Sequence, residues 1–376
     1  MVDAIDWSTA QRVGELIAGS PSSGAMTGES VRPLAERFAG RVSEYSGLAL
    51  PAELPPLEAV DRPTWIAANL SSMRPILEPV AQQSGAIGRA RNRRRPRKAG
   101  AQDLTPLYDT LAAAGGLLLG AQVGAMAGML SQRVLGQYDL ALLDPTIPPR
   151  LLLVAPNLAQ AARNMQVDDQ QLLSWVTIHE LTHAIQFSGA PWLREHLAGI
   201  LQELIAGLQV TVSLGALLRP PNPRDLRSLA ERLRRGEILR LTLGEQRWQL
   251  VSRMQATMSL VEGHAEHVMD AVGAEVLPSL PRLRAAMSHR RESRGLPWRI
   301  LERLLGLELK LRQYEDGRRF CDAIVAAGAK RHNGVGADGG NGIGGPKLLA
   351  RVWESPEHLP TTAELANPDL WLARVA

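Results

Sequence analysis

The segment Val176-Thr-Ile-His-Glu-Leu-Thr-His-Ala-Ile185 constrains this chain more than any other. His179 and His183 stand four apart, so a helix sets both imidazoles on one face, close enough to grip one metal ion. Glu180, between them, can address water at that ion. The pattern alone is moderately specific, because two histidines on a solvated helix would satisfy it. The flanks argue for burial: no charge occurs from Ser174 to Ile178, and apart from Glu180 the residues between and after the histidines are uncharged. A helix face turned to water would carry charges there. The segment therefore reads as a buried helix built around a zinc site.

Composition narrows the scaffold. Leu and Ala carry most of the apolar content and aromatics make up only 4% of the chain, which favours helices over sheets. A length of 376 residues suffices for a substantial core. The single cysteine, Cys321, excludes an intramolecular disulfide and a Cys-rich metal site. The opening Met-Val-Asp-Ala-Ile-Asp-Trp lacks a basic region followed by an apolar one, so the expected setting is reducing and cytoplasmic.

Net charge is +4, and seven basic residues between Arg89 and Lys98 account for more than all of it; the rest of the chain sums to −3. No aromatic interleaves those arginines, so residues 89–100 read as a basic flexible loop, and no nucleic-acid partner is expected. Residues 5–80 read as helices broken by proline-rich turns at Pro51–Pro56 and Arg62-Pro63. From Leu111 to Leu130 the only strongly polar residue is Gln122, with glycines at 116, 120, 124 and 128. That spacing suits a membrane helix pair or a soluble helix in close contact with a neighbour. Its weak hydrophobicity favours a buried soluble helix, and no stable membrane insertion is expected. Arg150–Pro156 reads as a short buried strand. Helices are expected near 157–188, 192–218, 224–235, 243–273 and 298–328. Eight glycines between Gly328 and Gly345 mark residues 328–346 as a flexible loop.

Catalytic zinc takes three protein ligands and leaves a position for water, so a third ligand is sought downstream. The run Val261-Glu-Gly-His-Ala-Glu-His-Val-Met-Asp270 offers three arrangements. Glu262 can bind the metal, with Glu266 one turn later accepting the outer N–H of His179 or His183. Alternatively His264 and His267 turn to the metal; His264 lies about 200° around the helix from Glu262, so these choices exclude one another. In the third arrangement the helix is merely solvated, which sits poorly with an apolar frame of Met258, Leu260, Val261, Ala265, Val268 and Met269. Glu262 is the leading candidate. With His179, His183 and Glu262 as ligands, zinc-activated water would attack a peptide bond, with Glu180 as general base and proton donor to the leaving amine. Tyr314 is the candidate for stabilising the oxyanion, with His196 behind it.

These residues also resemble the zincin-like metallopeptidase family of actinobacteria associated with coenzyme F-420 biosynthesis. The resemblance runs nearly end to end, through Ile5-Asp6-Trp7, Asp61-Arg-Pro-Thr-Trp65, Leu151–Asn157, His179–Phe187, Pro191–His196, Glu262–Asp270, Arg312-Gln-Tyr314 and Trp353–Pro360. It implies one zincin-like domain over 1–376, mainly α with a small sheet, and a zinc hydrolase acting on a peptide or protein substrate. Glu262-Gly-His-Ala-Glu266 is similar to the Glu-Gly-x-Ala-Glu segment that supplies the third ligand in gluzincin aminopeptidases, though the spacing from His183 is much longer. In zincins the active-site helix lies beneath a small sheet whose edge strand binds extended substrate; Arg150–Pro156 is the candidate for that strand. A non-catalytic zinc scaffold, and a factor linked to deazaflavin coenzyme synthesis, are the alternative expectations.

Overall fold

The computed structural model describes residues 3–19, 28–93, 105–206, 245–292, 307–334 and 344–375. Helices α1 (Trp7–Ala18) and α2 (Gly28–Ser46) lead into strand β1 (Leu57–Val60) and the long α3 (Arg62–Arg93). Then come α4 (Thr105–Ser131), β2 (Gly136–Asp139), β3 (Arg150–Val154), α5 (Ala155–Met165), α6 (Asp169–Gly189) and α7 (Trp192–Ala206). After these lie α8 (Glu245–Val276), α9 (Leu280–Glu292), α10 (Leu307–Gly334), α11 (Gly345–Ala350), two short 3-10 turns, α12 (Thr362–Ala366) and α13 (Pro368–Val375). The fold is mainly α with one small sheet.

The sheet has strand order β1-β3-β2, with β1 parallel and β2 antiparallel to β3. The run Arg150-Leu-Leu-Leu-Val154 is continuously apolar because both its faces are covered. Leu151 and Leu153 face a large core shared by α2, α5, α6, α8 and α10, whereas Leu152 and Val154 face a smaller one with α1, α3 and α4. Each of these four side chains is completely buried. This corrects the expectation for Arg150–Pro156: the strand forms, but at the sheet's centre. The edge beside the metal-motif helix is β2, whose residues Gly136-Gln-Tyr-Asp139 carry too short a pattern to stand out in sequence.

Helix α4 is buried on one face only. A Cβ at Gly120 would lie 2.3 Å from the Asp6 carbonyl oxygen, and one at Gly124 2.2 Å from that of Ala10. The Asp6 amide donates to the Gly116 carbonyl at 3.0 Å. The glycines thus serve contact with α1, while Leu117, Leu118 and Leu119 on the other side are exposed. Ala113–Ser131 is long and apolar enough to cross a membrane by length and composition, with 28% of that window buried. Full burial of the segment is therefore not what the structure shows.

Helix extends into both forecast loops. Helix α3 runs to Arg93, so the basic segment begins as helix, and α10 runs through Gly328 to Gly334. The remainder of the basic segment, residues 335–343 of the glycine-rich one and the forecast helix at 224–235 lie outside the described residues.

Candidate metal centre

Helix α6 starts at Asp168, whose carboxylate accepts from the Gln171 amide at 2.9 Å and so caps an open end. From Leu172 to Gln186 every residue is buried except His179, which is partly exposed. The uncharged frame read from sequence is thus a buried helix wedged between α2, α5, α8 and β2. Helix α8 crosses it and brings Glu262 to the histidines.

The position of α8 is fixed by main chain. A Cβ on Gly263 would sit 2.2 Å from the Gly317 carbonyl carbon, and one on Gly317 would sit 1.8 Å from the Ser259 carbonyl oxygen. Helices α8 and α10 therefore touch backbone to backbone beside Glu262, and no larger residue fits at either glycine without moving them.

Three donor atoms converge. The Nε2 atoms of His179 and His183 are 3.2 Å apart, and the Glu262 carboxylate lies 3.7 Å from the first and 3.8 Å from the second. Those distances define a circle of radius about 2.1 Å, which matches the roughly 2.0–2.2 Å length of zinc bonds to imidazole and carboxylate. These three residues are a His/Glu cluster able to hold a metal ion.

The proton positions follow from one unambiguous acceptor. Gln186, fully buried, has its Nε2 2.9 Å from the Val261 carbonyl oxygen and 2.9 Å from Nδ1 of His264. A carbonyl can only accept, so the amide nitrogen is correctly placed there and both its hydrogens are used. Gln186 Oε1 then faces His183 Nδ1 at 2.9 Å and must accept from it. His183 therefore carries its proton on Nδ1 and turns the lone pair of Nε2 toward His179 and Glu262. His264 accepts on Nδ1, and burial pushes its pKa down to about 3, with His267 and His183 adding to the effect. It stays neutral, edge-on to Trp353 with ring centroids 5.1 Å apart.

Glu180 is 6% exposed. Burial, reinforced by the charge of Glu262, pushes its pKa up to about 8, against a hydrogen bond donated by the Tyr138 amide. That amide belongs to β2. Val154 N–H donates to the Leu135 carbonyl at 2.9 Å, so Leu135, Gln137 and Asp139 spend their main-chain groups on β3. By alternation Gly136 and Tyr138 turn theirs to the open edge. A Cβ on Gly136 would lie 2.7 Å from Glu180 Oε1, so glycine is what lets the carboxylate lie against the strand.

The family model of zincin-like metallopeptidases matches residues 5–372. The chain belongs to the zincin-like metallopeptidase family. The crystal structure of "a putative hydrolase with a novel fold" from Chloroflexus aurantiacus is also similar, at 27% identity over 98% of each chain with a TM-score of 0.61. No curated protein matches in sequence. The family match carries the fold and the class of chemistry.

In this zincin-like chain the forecast residues divide clearly. His179, Glu180, His183 and Glu262 lie together. His264 and His267 do not turn to the metal: His264 meets Gln186, while His267 donates from Nδ1 to the Asp322 carboxylate at 2.6 Å and accepts on Nε2 from the Tyr45 hydroxyl at 2.8 Å. The outer N–H of His183 goes to Gln186 and not to Glu266, which is half-buried one turn beyond Glu262. His196 packs edge-on against Trp192, and burial lowers its pKa. Tyr314 falls on α10, one turn before Gly317, and its side chain lies outside the described residues. Sequence reasoning missed Gln186, although an amide three residues after His183 shares its helix face and was the available signal.

Proposed function

We propose that this protein is a zinc-dependent hydrolase of peptide bonds, with His179, His183 and Glu262 as the metal ligands and Glu180 as general base. The observation that carries the reading is the convergence of three lone-pair donors at zinc bond length beside a buried carboxyl group. Two imidazoles and one carboxylate are a donor set suited to zinc, with room for a fourth partner. Bound zinc would supply Lewis acidity, polarising a carbonyl and lowering the pKa of water toward about 7. Gln186 presents the His183 lone pair by holding the opposite nitrogen protonated. Glu180 takes the proton of the attacking water and hands it to the departing amine. A dication nearby favours its ionised form, opposing the shift imposed by burial.

The main-chain groups of Gly136 and the Tyr138 carbonyl, which alternation turns away from β3, support an extended peptide as substrate; the Tyr138 amide is already given to Glu180. A peptide can add to β2 as a further strand, with its scissile bond carried past Glu180. Two measurements test this reading. Metal analysis should find about one zinc per chain. Glu180→Gln should keep that zinc while hydrolysis of a peptide library falls by about 10²–10⁴. Unchanged hydrolysis in E180Q defeats the proposed role of Glu180, and zinc without turnover on any peptide points to a scaffold.

A further inference from the structure

A cavity of about 820 Å³ opens where α3 and α5 leave the carboxyl ends of the parallel strands β1 and β3, and it shares no residue with the metal centre. Among the described residues its charged and titratable lining consists of Arg62, Arg133 and His289; Gln132, Gln160 and Asn164 add amides, and no acid is among them. A volume of that size falls within the roughly 300–1,000 Å³ of small-molecule sites.

Arg62 is held rigidly there. Its Nε donates to Asn157 Oδ1 at 2.8 Å, one terminal nitrogen to the Ala18 carbonyl at 2.9 Å, and the other to Gln160 Oε1 at 3.1 Å. Asn157, 2% exposed, is itself locked by donating to the Ser131 and Val134 carbonyls. All three acceptors of Arg62 are neutral, and no carboxylate among the described residues pairs with it. Burial lowers its pKa, with no acid to offset the effect. A guanidinium has five N–H donors, so two remain. An arginine fixed by neutral partners, with no acid among the described residues of its cavity, is preorganised for an anion, because its orientation is set before the ligand arrives. The starts of α3 and α5 add their positive ends on the same side.

We propose that this cavity is a second binding site, for a small organic anion whose phosphate or carboxylate group pairs with Arg62. Arg133 and His289 contribute further cationic or hydrogen-bonding contacts, and the amides of Gln132, Gln160 and Asn164 hold the polar remainder of the ligand.

The test uses the full chain, with inorganic phosphate and malonate as probes against chloride at matched ionic strength, read by calorimetry and by thermal midpoint. Saturable binding with a raised midpoint is expected for at least one probe. Phosphate alone, malonate alone or both would assign the phosphoryl, the carboxylate or the shared chemistry. Replacing Arg62 would cut three ties between helices and risk unfolding, so the deciding variant is Gln160→Glu. It sets a carboxylate where the amide oxygen meets Arg62, and should weaken binding at least tenfold while leaving the anion-free midpoint unchanged or higher. Arg133→Gln should weaken binding several-fold in a folded protein. No saturable signal above chloride, or phosphate and malonate bound by Q160E as tightly as by the parent, overturns the proposal.

Discussion

The metal centre and the Arg62 cavity gather charge of opposite sign, the first around a buried helix and the second at a site open to solvent. Around His179 and His183 the groups are electron-pair donors and two carboxyls, the buried Glu180 and the partly exposed Glu262, with no cationic side chain among the contacts that define the cluster. Around Arg62 the described lining is cationic and amide, with no acid among it. In each, a fully buried amide fixes the charged or ligating group: Gln186 holds His183, and Asn157 holds Arg62. The chain thus uses the same device twice, a neutral side chain that orients without neutralising. Orientation by a neutral partner leaves the electrostatic demand of the site to be met by a ligand.

The strongest way to break this comparison is His183→Ala. Zinc content should fall from about one per chain to near zero and hydrolysis to background, since two ligands do not hold a catalytic ion. The response to phosphate at the distant cavity should persist. Loss of both would show that the two regions are one cooperative unit.

Gln186→Leu comes next. It leaves His183 Nδ1 without an acceptor and the Val261 carbonyl without a donor, so zinc affinity should drop by about 10–100-fold. The cobalt-substituted protein should show an altered visible spectrum at full metal loading, which mere loss of packing would not produce. A variant with parental affinity and spectrum would reduce Gln186 to core filling.

Gly263→Ala sharpens the structural half. Its methyl must push α10 away from α8, and overpacking of this kind costs about 1–3 kcal/mol. The thermal midpoint should fall and zinc affinity with it, whereas a matched loss of stability from a core change remote from α8 should leave zinc affinity intact.

The smallest effect is in pH. Glu180 releases its proton near 4.5 in the unfolded chain and near 8 in the folded, metal-free one. Between these values the folded state holds the extra proton, so stability falls as pH rises through that window and is highest, for this group, below it. Denaturation of metal-free protein at stepped pH should show that slope, and E180Q should flatten it. An unchanged slope in E180Q would assign it to another group.

How far the sequence disclosed this architecture varies from residue to residue. The pair His179/His183 and their buried helix were legible because helical period and an uncharged frame are local properties. Glu262 was legible as a candidate but needed the structure, since its approach depends on Gly263 meeting Gly317 over fifty positions away. Strand β2 escaped notice: four residues with a glycine and two polar side chains carry no pattern of a strand, and their pairing with β3 is a tertiary choice. The strand at Arg150–Val154 was found but misplaced at the edge, because a continuous apolar run already signals two covered faces. The glycine spacing of α4 correctly announced close contact, but said nothing of Leu117–Leu119 on the other face. The Arg62 cavity left no local trace, being assembled from four helices and the turn after α4.

The meeting of Gly263 and Gly317 has a final consequence. Where helices are spaced by side chains, the gap can widen or narrow as rotamers change. Peptide units pressed together have no such play, so α8, which carries Glu262, is held against α10 without side-chain slack. Warming should therefore loosen the periphery of this protein well before it parts α8 from α10.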